Sequence, residues 1–72
     1  MTNIIELEVA IKRAQITKKE LAHQIGISTQ ALYNKLNNSA EFKASEIAKT
    51  CDLLNLDRKD RDKIFFAQNV DN

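Results

Sequence analysis

The chain has one glycine, Gly26, and no proline among its 72 residues, so sharp turns are possible at few places. Gly26 lies between two helix-starting signals, the capping box Thr17-Lys-Lys-Glu20 and the N-cap residue Ser28. A glycine directly after a helix suits the left-handed conformation, in which a side chain would be strained. A plain helix end would explain Gly26 alone, but helix signals on both sides favour two short helices joined by a tight turn.

The rest of the chain shows helical spacing of apolar residues and no strand-like alternation. We predict a first helix after Asn3 that fades near Gln15, a third over about 29–36, a fourth over roughly 44–54 and a fifth after Asp57. The predicted inward positions are Ile4, Leu7, Ala10, Ile11, Ala14, Leu21, Ala22, Ile25, Ala31, Leu32, Leu36, Phe42, Ile47, Ala48, Cys51, Leu54, Leu56, Ile64, Phe65 and Gln68. The predicted fold is an all-α domain of five helices over residues 1–72, with a frayed tail at 69–72.

Composition limits the functions that such a domain can have. Apolar residues make up 43% and charged residues 29% of the chain, which is typical of a folded soluble domain. No apolar run approaches a membrane span or a secretory signal, and the single cysteine, Cys51, cannot form an internal disulfide. One histidine, His23, and no glycine-rich loop argue against an enzyme. We therefore expect no catalytic site, metal, cofactor, small-molecule substrate or membrane contact, and a cytoplasmic location.

Charge is distributed unevenly although the net charge is only +1. Residues 12–43 carry two acidic side chains and six basic ones, which are Lys12, Arg13, Lys18, Lys19, Lys35 and Lys43. The two flanking segments are weakly acidic, and the run from Asp57 to Lys63 alternates in sign, as expected of a solvated helix face with i,i+4 ion pairs. The basic middle segment is consistent with a modest nucleic-acid-binding surface.

The predicted third helix presents hydrogen-bonding side chains outward, at Thr29, Gln30, Tyr33 and Asn34. In a helix-turn-helix, the second helix enters the DNA major groove, where Gln and Asn can pair with an adenine edge. The helix before the turn points its N-terminus at a phosphate, which indicates a phosphate-binding role for Lys18. Lys35 and the hydroxyl of Ser28 are the predicted further phosphate contacts.

These residues resemble the Cro/C1-type (XRE-like) helix-turn-helix family, the lambda-repressor-like five-helix domain of many phage repressors. The resemblance lies in Glu20-Leu21-Ala22, Gly26-Ile27-Ser28, Leu32 with Leu36, Glu41-Phe42, Ser45-Glu46-Ile47, and Phe65-Phe66-Ala67 with Val70. It implies DNA contacts at Lys18, Ser28, Thr29, Gln30 and Asn34. It further implies a small regulator of a temperate phage, of the Cro or modulator-of-repression kind, in the cytoplasm of the bacterial host.

Two roles remain open for this surface. The first is binding of double-stranded operator DNA as a transcriptional regulator, as a homodimer or together with a CI-type phage repressor. The second is an antirepressor role, in which the same face grips the DNA-binding domain of the repressor and blocks its access to DNA. Tyr33 can lie at the core edge or face a partner, and Phe66 lies off the apolar stripe of the fifth helix. The predicted partner interface is Gln30, Tyr33, Asn34, Asn37 and Phe66.

Overall fold

Five α-helices follow one another along the chain, and the structure, a computed structural model, describes residues 2–66. The helices are α1 (Ile4–Ala14), α2 (Lys18–Ile25), α3 (Thr29–Leu36), α4 (Ala44–Leu54) and α5 (Arg58–Phe65). No strand occurs between residues 2 and 66, so the prediction of an all-α chain with five helices is confirmed. The predictions for Ala67, Gln68, Val70 and the tail at 69–72 concern residues outside the described range.

The helix starts were predictable because short polar side chains cap them. Asn3, Thr17, Ser28 and Asp57 each accept a hydrogen bond from a backbone N–H in the first turn of the following helix. At α2 the capping box is complete, because the Thr17 N–H also donates to Glu20 Oε1 at 2.9 Å. Each cap of this kind stabilises a helix by about 1 kcal/mol. At α4 the helix starts after Lys43, whose N–H donates to Glu46 Oε1 at 2.9 Å.

Gly26 ends α2 in the left-handed conformation, as predicted, with φ = 84°. A Cβ atom at this position would meet nothing within 4 Å, so backbone conformation and not space calls for glycine. Gln15 and Asn55 end α1 and α4 in the same region, but at φ = 58° and 57°. Those angles lie inside the small left-handed region open to L-residues, whereas that of Gly26 lies beyond it. The requirement for glycine is therefore specific to the turn between α2 and α3.

The core lies where all five helices meet. Its buried apolar side chains are Leu7, Ile11, Leu21, Ala22, Ile25, Leu32, Leu36, Phe42, Ile47, Leu54, Ile64 and Phe65, all of which were predicted to face inward. Phe42, which anchors the loop after α3, meets Phe65 edge to face with ring centroids 5.2 Å apart. Near the N-terminus, the Asn3 N–H donates to the Ile64 carbonyl at 2.6 Å and ties the start of α1 to α5.

Two predictions about surface and core on α4 and α5 were wrong. Ala48 is exposed and Cys51 only half-buried, whereas Thr50 is fully buried, with its hydroxyl donating to the Glu46 carbonyl at 2.8 Å. The buried face of α4 is therefore centred on Ile47, Thr50 and Leu54.

Along residues 57–63, all of which the structure describes, the ion pairs are not i,i+4 contacts. Arg61 contacts its neighbour Asp62, while Lys63 reaches Glu6 on α1 at 3.6 Å.

Candidate functional site

Six of the predicted recognition residues lie on one side of α3 and just beyond its ends. We call this set, consisting of Ser28, Thr29, Gln30, Tyr33, Asn34 and Asn37, the outer face of α3. Ser28, Gln30, Tyr33 and Asn37 are exposed, and Thr29 and Asn34 are half-buried. The residues between the end of α2 and the start of α3 are Gly26, Ile27 and Ser28. Because Ile27 packs on the core and the Ser28 hydroxyl caps α3 at 3.0 Å, the turn holds the outer face toward solvent.

Two side-chain amides are joined on this face. Gln30 Nε2 donates to Asn34 Oδ1 at 3.2 Å, an i,i+4 contact along the exposed side of α3. Within residues 2–66, neither of these two side chains makes any other hydrogen bond. The contact links the two groups and leaves the Gln30 carbonyl oxygen and the Asn34 N–H groups without a hydrogen-bond partner within residues 2–66.

Tyr33 faces outward, which answers the question that the sequence left open. Its side chain is 46% exposed, and the ammonium of Lys18 lies 5.7 Å from the centre of its ring. The same ammonium lies 3.1 Å from Glu8 Oε1 on α1. Lys18 is therefore held between a carboxylate of α1 and an aromatic ring of α3. Nothing in the spacing of these three residues in the sequence indicated this contact, because it joins three helices.

Lys35 does not occupy the position that was predicted for it. It is 8% exposed, and its ammonium contacts Glu46 Oε1 at 3.3 Å and donates to the Glu41 carbonyl at 3.1 Å. Its ammonium also lies 5.9 Å from the centre of the Phe42 ring. The prediction of a phosphate contact was wrong, because position 35 lies on the inward stripe that starts at Leu32. The i,i+3 spacing of Lys35 from Leu32 already indicated an inward position. The pairing of Lys35 with Glu46 on α4, by contrast, depends on the tertiary fold.

The outer face of α3 is consequently neutral. Lys35, the one charged residue within α3, is paired below the surface, and Lys18 beside the face is paired with Glu8. What remains at the surface is a set of amides, hydroxyls and one phenol. Lys12 and Lys19 are exposed and line a groove next to Tyr33, and Arg13 lines another groove between α1 and α5. The basic middle segment therefore does not concentrate its charge on α3.

Phe66 lies apart from this face. Its ring is 50% exposed and packs against Arg61, whose guanidinium carbon is 5.6 Å from the ring centre. It lines a groove together with Phe42, Ala44, Ile47, Ala48 and Arg61, and no residue of α3 takes part in that groove. The prediction that placed Phe66 in one interface with Gln30 and Tyr33 is not supported by this arrangement. The chain instead presents two separate exposed aromatic rings.

The remaining chemically reactive groups are scattered. Between residues 2 and 66, no three side chains of the His, Cys, Asp and Glu types gather as they would around a metal ion. His23 is exposed, and burial raises the pKa of the Cys51 thiol, which disfavours the reactive thiolate. None of the helices in the described part of the chain has the length and apolar character needed to cross a membrane.

Comparison with known proteins gives one result. Residues 5–68 match a family described as a protein of unknown function, DUF739. Searches of curated proteins and of solved structures found no match. The family match extends from the first turn of α1 past the end of α5 and includes the whole outer face of α3. The chain therefore belongs to the DUF739 family.

Proposed function

We propose that α2, the Gly26 turn and α3 form the helix-turn-helix of a lambda-repressor-like domain, and that the chain is a small phage regulator. In this proposal it acts in the cytoplasm of the bacterial host on the switch between lysis and lysogeny. Support comes from the capped helices on either side of a left-handed glycine and from the polar outer face that follows. The resemblance to Cro/C1-type regulators over nearly the whole chain points the same way.

The partner that the geometry favours is the DNA-binding domain of a CI-type repressor, with the chain acting as an antirepressor. The observation that carries this choice is the neutral outer face, since Lys18 and Lys35 are both already paired with carboxylates. Binding to DNA gains much of its free energy when free cations displace counterions from phosphates. A neutral, hydrogen-bonding face gains little in this way, but it does not repel the basic surface with which a repressor reads DNA. Covering that surface would keep the repressor off its operator.

Operator DNA is the second candidate partner, and the linked amides of Gln30 and Asn34 favour it. The exposed Gln30 and the half-buried Asn34, linked in fixed register, can pair with adenine edges in the major groove, and the Thr29 methyl group can meet a thymine methyl group. Exposed Lys12 and Lys19 could then supply phosphate contacts. Because one helix reads few base pairs, this role calls for a homodimer or a joint complex with the repressor.

A matched pair of aromatic substitutions tests the first proposal. Tyr33 and Phe66 are 46% and 50% exposed and lie on different surfaces. We expect the wild-type chain to form a complex with the repressor's DNA-binding domain at micromolar concentrations, measured by size-exclusion chromatography and isothermal titration calorimetry. Tyr33→Ala should raise the Kd about tenfold or more, because exposed aromatic residues often dominate interfaces, and Phe66→Ala should leave it within about twofold.

Any other outcome of this experiment contradicts part of the proposal. If the wild-type chain does not co-elute with the repressor domain, the antirepressor role is wrong. If Phe66→Ala weakens the complex and Tyr33→Ala does not, the interface lies on the α4–α5 side. A fluorescence anisotropy titration of an operator fragment over a range of salt concentrations tests the second candidate. Absence of binding at low salt excludes it, whereas tight binding that weakens steeply with salt favours it over the first.

A further inference from the structure

Lys18 is held by groups from two other helices at the edge of the outer face of α3. Its ammonium lies 3.1 Å from Glu8 Oε1 and 5.7 Å from the centre of the Tyr33 ring. The side chains of Lys18 and Glu8 are 32% and 42% exposed, so solvent screens their attraction only in part. Because α1, α2 and α3 each contribute one of the three groups, the contact depends on the packing of the domain and not on local sequence.

The first turn of α2, where Lys18 lies, is also where a helix-turn-helix would meet a DNA phosphate. The N-terminus of a helix attracts anions through its free N–H groups and its dipole, and a lysine there would add a full positive charge. In this chain two carboxylates already lie at that end. Glu20 Oε1 accepts a hydrogen bond from the Thr17 N–H at 2.9 Å, and the Glu8 carboxylate forms an ion pair with the Lys18 ammonium. A phosphate would have to displace Glu8 from Lys18 and approach both negative charges.

We propose that Glu8 is a specificity-determining residue that withholds Lys18 from phosphates and so directs the outer face of α3 away from DNA and toward a protein. This inference rests on the proposed function, in which that face selects between the two partners. Specificity often depends on an element that penalises the wrong partner, and here the penalty falls on polyanions. Glu8 lies on α1, outside the helix-turn-helix segment, so a motif-based search for recognition residues does not include it.

The chain offers a matched control for testing this role. Glu6 and Glu8 lie on the same helix, each is paired with one lysine, and their side chains are 37% and 42% exposed. Glu6→Gln and Glu8→Gln raise the net charge by the same amount. Glu8→Gln releases Lys18, whereas Glu6→Gln releases Lys63 on α5. Any difference between the two variants therefore reports the position of the freed lysine and not the total charge.

The experiment measures binding of a fluorescent 20-base-pair duplex of random sequence by anisotropy, from low to physiological salt. We expect Glu8→Gln to bind about three- to tenfold more tightly than wild type at low salt. Its slope of log K against log salt should become more negative by about 0.9, as expected for one additional phosphate contact. Glu6→Gln should stay within about twofold of wild type. Circular dichroism and thermal melting establish that each variant is folded.

Lys18→Met makes a second, independent test through a double-mutant cycle. Because Glu8 already pairs with Lys18, Lys18→Met should weaken duplex binding less in the wild-type background than in the Glu8→Gln background, where it should abolish the gain. Equal gains in Glu6→Gln and Glu8→Gln, no gain in Glu8→Gln, or an equal effect of Lys18→Met in both backgrounds overturns the inference. The random duplex requires no repressor, so this result is separate from failure of the wild-type chain to bind the repressor domain.

Discussion

The two sides of α3 differ in burial and in charge. The inner side consists of Leu32, Lys35 and Leu36, all of which are buried. The ammonium of Lys35 is its one charge, and it pairs with Glu46 of α4. The outer face carries no charge and consists of hydrogen-bonding side chains and an exposed phenol. The single charge of α3 is therefore paired inside the fold, while the outer face presents neutral hydrogen-bonding groups.

The largest expected effect comes from truncating a buried side chain on the inner side of α3. Leu32 is fully buried, so Leu32→Ala removes its packing and leaves a cavity. We expect a loss of about 3 kcal/mol in the free energy of unfolding, measured by urea denaturation. A domain of this size has only about 4–10 kcal/mol in total, so the variant should be noticeably less stable. The control Gln30→Ala on the outer face should change stability by less than about 0.5 kcal/mol, and similar losses in both variants would contradict the assignment of the two sides.

An intermediate effect is expected from removing the carboxylate that pairs with the Lys35 ammonium. Glu46→Gln keeps an oxygen that can accept the Lys43 N–H but leaves the ammonium of Lys35 buried without its carboxylate. Because the new amide oxygen still accepts hydrogen bonds, the loss should be about 2–3 kcal/mol, below the roughly 3–5 kcal/mol of removing a partner outright, measured by thermal and urea denaturation. Lys35→Met combined with Glu46→Leu removes both charges and should recover most of that stability. If Glu46→Gln is as stable as wild type, Lys35 is not held as described and its charge is available at the surface.

The smallest expected effect concerns the turn that joins the two helices. Gly26→Ala should cost about 1 kcal/mol, because alanine is strained at φ = 84° although no atom lies within 4 Å of its Cβ. For a chain of this length, that corresponds to a decrease in Tm of about 4–8 °C. Asn55→Ala, at φ = 57° after α4, is the matched control and should cost less. A larger cost at Asn55 would mean that the turn after α2 has no special need for glycine.

Local features explain why much of the fold was predictable. Asn3, Thr17, Ser28 and Asp57 start their helices by contacts within three residues, and Gly26 ends α2 by its own backbone conformation. Such signals are complete within a short stretch of sequence, so the bounds of the helices followed from them. The exposed side of α3 followed from helical spacing for the same reason.

The errors at Lys35 and Phe66 arose where the surroundings of a side chain depend on neighbouring helices. Lys35 was predicted to contact backbone phosphates, but its ammonium pairs with Glu46 of the next helix. Phe66 was grouped with Tyr33 by residue type, although it packs on Arg61 next to α4. Spacing along one helix gives the direction of a side chain, but not the identity of the group that it meets.

By itself, then, the sequence determined the five helices, their caps, the place of the tight turn and the polar character of the outer face of α3. Only the tertiary structure decided that the nearby lysines, Lys18 and Lys35, are paired, because Glu8 and Glu46 reach them from other helices. Capping and helical periodicity act over three or four residues, whereas electrostatic pairing depends on which helices pack together.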